Sequence, residues 1–107
     1  MAKLKTTKMN LQKIQNAVQK VVKRQRFARN IKSVSVFGSA VRGEMNAQSD
    51  VDLIVEFFQT MSLLDRAGLK IDFEKELKHK VDLLTPKVIH PRLKKNIFNS
   101  AKKIYGR

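Results

Sequence analysis

The chain has no cysteine and no tryptophan, a single tyrosine, and no acidic residue before Glu44 or after Asp82. Without cysteine there can be neither a disulfide framework nor a thiolate metal centre. A cytosolic setting fits that absence. One tyrosine and no tryptophan leave little with which to stack unpaired bases, which argues against an RNA-binding module of the aromatic kind. No apolar run approaches the roughly 18 residues needed to cross a bilayer. No apolar signal-peptide core follows the basic N-terminus, so no membrane association is expected. Internal repeats and low-complexity linkers are also missing.

What is present fits one domain spanning 1–107, with 1–9 reading as a flexible basic tail. A chain of 107 residues, 42% of them apolar, has enough material for one core and too little for two. The formal net charge is +14, and all nine acids lie in the middle of the chain. Basic flanks around an acidic centre suit a polyanion: a nucleoside triphosphate, RNA or DNA, or an acidic protein. They suit a plain solvated surface equally well.

The periodicities predict helix, strand, strand, helix, strand, helix. From Asn10 to Arg29, Leu11, Ile14, Val18, Val21 and Val22 form an amphipathic stripe, with Asn10 as N-cap. Lys13, Lys20 and Arg24 share another face, read first as solvated. Residues 31–37 alternate as a strand that runs into Gly38-Ser39 and a polar loop reaching Ser49. In a second strand, 50–57, Val51, Leu53, Val55 and Phe57 point one way and Asp50, Asp52, Ile54 and Glu56 the other. Ser62 caps a helix to Lys78 whose apolar face is drawn from Leu63, Leu64, Ala67, Ile71 and Leu77, with Gly68 marking a bend. A strand over 80–84 closes at Thr85-Pro86. His90-Pro91 opens a last helix striped by Leu93, Ile97, Ala101 and Ile104. The class is α/β (α+β): a small mixed sheet of three or four strands with helices mainly on one face.

Asp50 and Asp52 carry the chemistry. Two residues apart on a strand, their side chains share a face and repel each other unless a cation lies between them. Hard oxygen donors suit Mg²⁺, or Mn²⁺ in its place. Asp-x-Asp alone is a common polar strand edge. Here Asp82 stands between apolar Val81 and Leu83, so it too faces away from the core. If the strands are neighbours, three carboxylates could hold two metal ions about 4 Å apart, as in phosphoryl-transfer chemistry. Gly38 lets a phosphate approach the backbone, and the Ser39 hydroxyl can donate to it. The Arg42 guanidinium can offset charge on a leaving pyrophosphate. The two histidines, His79 and His90, read as solvent-exposed or capping residues.

The segment 38–53, Gly-Ser, ten residues, then Asp-Val-Asp-Leu, resembles the signature of the DNA polymerase β-like nucleotidyltransferase superfamily. Arg42-Gly43, Ser49, Val81-Asp82-Leu83, Leu63-Leu64-Asp65 and His90-Pro91-Arg92-Leu93 are similar to the minimal nucleotidyltransferases (MNT domains) in particular. The likeness spans roughly residues 15–105. Val41 and His79 depart from the family pattern without touching the proposed ligands. The resemblance implies a nucleotidyltransferase fold and a Mg²⁺-dependent enzyme with ATP as substrate. Asp50, Asp52 and Asp82 are then its catalytic and metal-holding residues, and Gly38, Ser39, Arg42 and Ser49 its nucleotide-binding ones. It further implies a prokaryotic cytoplasmic antitoxin that moves AMP onto a tyrosine of a HEPN-domain ribonuclease toxin, the two forming a hetero-oligomer. The alternatives are a non-catalytic antitoxin acting by complex formation, an antibiotic-modifying type of small-molecule nucleotidyltransferase, and a basic nucleic-acid binder.

Overall fold

The computed structural model describes residues 10–24, 28–42 and 50–106. The expected basic tail over 1–9 therefore lies outside the described residues, as does the stretch 43–49, which includes the expected nucleotide-binding Ser49. A four-stranded sheet runs in the order β3-β2-β1-β4, with β1 Ile31–Phe37, β2 Val51–Phe57, β3 Val81–Leu84 and β4 Lys102–Gly106. Strand β1 pairs antiparallel with β2 and with β4, while β2 and β3 run parallel. A parallel pair needs a crossover, and helix α3 (Leu63–Leu77) supplies it.

Helix α1 (Leu11–Arg24) starts as its sequence predicts, with the Lys13 N–H donating to Asn10 Oδ1 at 2.9 Å. Ile14, Val18, Val21 and Val22 are buried. It stops short of the expected Arg29: Ala28–Asn30 form a 3₁₀ turn. Asn30 explains the break. Its side chain donates to Gln59 O and accepts from Gln59 N, both at 2.8 Å, and its carbonyl accepts from Phe58 N at 2.9 Å. These bonds fasten the start of β1 to the end of β2 and are incompatible with continuing the helix.

The core lies between one sheet face and helices α1 and α3. Val34, Val36, Val51, Leu53, Val55 and Val81 meet Ile14, Val18, Leu69, Phe73 and Leu77 there. Each fully buried side chain of this size contributes roughly 1.5–3 kcal/mol. Helix α3 has its expected Ser62 cap, whose hydroxyl accepts from Asp65 N at 3.1 Å. Its expected apolar face is corrected. Leu69, Phe73 and Leu77, spaced by four, are buried, whereas Leu63 is 77% and Leu64 82% exposed and Ile71 and Ala67 are also exposed. The helix continues through Gly68 without interruption.

The last helix is corrected too. Helix α4 spans Pro91–Ser100, capped by His90, whose ring nitrogen accepts from Arg92 N at 3.1 Å. The Ser100 hydroxyl donates back to Asn96 O and Ile97 O. Ala101 leaves the helix, and Lys102–Gly106 pairs with the free edge of β1. Ile104 is therefore buried from a strand, not from a helix stripe. The second sheet face is also less open than its sequence suggested. Ile54 is buried there, and Met61 and Ile89 are buried outside the main core cluster.

Candidate active site

Strand register brings the carboxylates together. Asp52 on β2 is paired with Asp82 on β3 and, on its other side, with Phe37 at the end of β1. Parallel neighbours in register present their side chains to the same face, so Asp52 and Asp82 stand side by side. The partners one step along, Val51 with Val81 and Leu53 with Leu83, turn into or against the core and fix that orientation. Asp50 directly precedes β2 and is exposed, as is Asp82; Asp52 is half-buried. Val51 N donates to Lys80 O at 2.8 Å and Val81 N to Glu74 Oε2 at 3.0 Å. These two bonds tie down the starts of both carboxylate-bearing strands. Glu74 is thus a positioning residue that the sequence pattern did not reveal, because nothing local marks a helix side chain that reaches a strand seven residues on.

The chain turns sharply at Gly38, whose φ of 78° is left-handed. Val41 N and Arg42 N both donate to Gly38 O, closing the short helix α2 (Ser39–Arg42). A Cβ at position 38 would collide with Asp52 Oδ2. Its sequence assigned Gly38 to the approach of a phosphate; the structure adds that the missing side chain makes room for the Asp52 carboxylate. Ser39 and Arg42 follow on this turn, and the Arg42 charge reaches Asp52.

The electrostatics follow from this convergence. Partial burial pushes the Asp52 carboxyl above its ordinary range, the charges of Asp82 and Asp50 push it the same way, and the Arg42 guanidinium opposes them. Carboxylate charge gathered around Asp52 makes a site that a hard cation relieves. Among the described residues no three acids or histidines are gathered closely enough to enclose an ion unaided. Mg²⁺ takes only one or two carboxylates at many sites and completes its shell from substrate phosphates and water. The donor set therefore fits Mg²⁺ held jointly with a triphosphate.

The family model for polymerase beta nucleotidyltransferases matches residues 10–107, which contain every element above. The chain belongs to this nucleotidyltransferase family. Among its relatives, a candidate protein adenylyltransferase of Methanocaldococcus jannaschii is 46% identical over 71 residues, 66% of this chain and 76% of that one. A second from the same organism, named likewise, is 34% identical over 88 residues, 81% of this chain and 90% of its own. Among solved structures, a candidate minimal nucleotidyltransferase superposes with a TM-score of 0.74 at 34% identity, covering 90% of this chain and 97% of the other. A toxin–antitoxin complex with AMP-PNP gives 0.73 at 22% identity over 87% and 73% of the two chains, a likeness of fold. No described helix is long and apolar enough to cross a membrane.

Proposed function

We propose that this nucleotidyltransferase moves AMP from ATP to a protein hydroxyl, that of a tyrosine on a HEPN-type ribonuclease toxin, and so serves as its antitoxin. The observation that carries the reading is the registered Asp52–Asp82 pair beside the Gly38-Ser39 turn. The acceptor class is supported by the relatives named as protein adenylyltransferases. A fold neighbour at 21% identity is an AMPylated HEPN toxin bound to its MNT antitoxin, in keeping with that acceptor.

In this reading Asp50 and Asp52 hold the divalent cation that carries the triphosphate, and Asp82 helps hold a second. Mg²⁺ there would neutralise phosphate charge and make the α-phosphorus a better electrophile. Gly38 and Ser39 anchor the outer phosphates. Arg42 offsets the charge that grows on pyrophosphate as it leaves. Ser49, outside the described residues, completes the nucleotide site by its place in the signature. The acceptor oxygen bonds to the α-phosphorus, the bond to pyrophosphate breaks, and the acceptor proton passes to Asp82. Positioning and charge neutralisation supply most of the rate.

Incubation with labelled ATP, Mg²⁺ and the HEPN partner, followed by mass spectrometry, should show AMP added to a tyrosine and none with Asp52→Asn. Toxin neutralisation that survives Asp82→Asn without any transfer would instead establish a complex-forming antitoxin.

A further inference from the structure

Helix α1 and the C-terminal end of α3 enclose an open groove of about 660 Å³ on the helical side of the sheet. Lys13, Lys20 and Lys23 line it from α1, and Lys78 and His79 from the end of α3. Among the described residues, the one acid lining it is Glu76. That carboxylate is already engaged by Lys20 Nζ at 3.5 Å and Arg24 Nη2 at 3.1 Å. Those cations hold it below the ordinary glutamate range, the Arg24 hydrogen bond most of all. With Glu76 paired to Lys20 and Arg24, the described lining still carries three further lysines, Lys13, Lys23 and Lys78, and no other acid. From Lys13 to Lys23 the helix rises about 15 Å, so the ammonium groups are strung along a line rather than gathered at a point.

Lys78 adds an independent observation. It is the only described non-glycine residue with positive φ, 58°, at the position that ends α3. Glycine is the usual residue there because it enters the left-handed region without strain. The lysine takes up this conformation at a cost in stability, and it lines the groove. Beyond it, the basic run Lys78-His79-Lys80 leads to the start of β3, where Lys80 O accepts from Val51 N, beside Asp50 and Asp52.

We propose that this groove binds single-stranded nucleic acid through its phosphates. A strand of regularly spaced negative charges matches a line of lysines better than a single anion does. Among the described residues, no phenylalanine, tyrosine or tryptophan lines the groove. Binding therefore carries no base stacking, no preference between sequences and none between RNA and DNA. The described lining offers no stacking platform, which leaves phosphate binding untouched. The inference stands apart from nucleotidyl transfer, since it uses none of Asp50, Asp52 and Asp82.

The test is fluorescence anisotropy of labelled oligo-U and oligo-dT with the full chain, without ATP, across a salt series. Equal binding of the two is expected, with log affinity falling against log salt at a slope of about −2 to −3, from roughly −0.7 per phosphate contacted. Lys23→Gln with Lys78→Gln should flatten the slope by about 1.4 and weaken binding roughly tenfold at low salt. Glu76→Gln should tighten binding, an outcome a merely damaged fold would not give. Lys78→Gly should raise Tm while weakening binding, which separates the groove's role from stability. Absence of binding at low salt would overturn the proposal. So would binding untouched by the lysine changes but lost on replacing Lys3, Lys5 and Lys8, or polyglutamate bound as tightly as the oligonucleotides.

Discussion

At Gly38 and Asp52 one residue's missing side chain is the other's space. Gly38→Ala would strain a left-handed backbone and push a methyl into the Asp52 carboxylate. A stability loss of about 1–2 kcal/mol is expected in urea unfolding. Nucleotidyl transfer should fall by about 100-fold or more through displacement of Asp52. In its proposed role Asp52 trades stability for function. Its folded-state titration lies above the ordinary value, so the protonated form favours the fold and the ionised form opposes it. The contribution is most favourable below the ordinary carboxylate range and is lost as pH rises through the raised value. Asp52→Asn removes the charge. It should melt about 2–4 °C above the parent at neutral pH without divalent cations, and that gap should close towards acid pH and on adding Mg²⁺.

Among the elements, α3 and β4 behave differently from what their local patterns suggest. In α3, Leu69→Ala should cost about 2–5 kcal/mol, because Leu69 is fully buried against the sheet. Leu64→Ala should change stability by about 0.5 kcal/mol or less, because that side chain is 82% exposed. A pair of urea titrations distinguishes the two, and equal losses would contradict the face described here. Strand β4 covers the edge of β1 and brings Ile104 into the core. Ile104→Ala should therefore cost about 2–4 kcal/mol, far more than an exposed helix position would.

For the whole molecule, a charge of +14 on 107 residues means strong self-repulsion in the folded state. The described ion pairs, Lys20 and Arg24 with Glu76 and Lys32 with Glu56, are exposed on their basic side and offset little of it. Salt screens such repulsion over about 10 Å at 0.1 M. Melting temperature should accordingly rise between 10 and about 200 mM NaCl, as followed by circular dichroism, whereas a chain of balanced charge would show little change. Most of the acids divide between the candidate site, with Asp50, Asp52 and Asp82, and helix α3, with Asp65, Asp72, Glu74 and Glu76, whereas α1 and α4 carry none.

The sequence alone determined the features that depend on neighbours in the chain. Strand alternation fixed β1, β2 and β3 and put Asp52 and Asp82 on the face turned from the core. Caps at Asn10, Ser62 and His90 fixed helix starts, and the Gly-Ser to Asp-x-Asp spacing marked the site and its family. Tertiary structure decided what depends on distant partners. The register that sets Asp82 beside Asp52, the collision that reserves position 38 for glycine, and the bond from Glu74 to Val81 are all contacts between separate elements. Helix α3 buried Leu69 and Phe73 because the sheet lies on that side, not because its leucines are concentrated there. The segment after Ser100 became a strand because β1 offered it an unpaired edge, and backbone groups at such an edge favour pairing over the weak local preference for another helical turn.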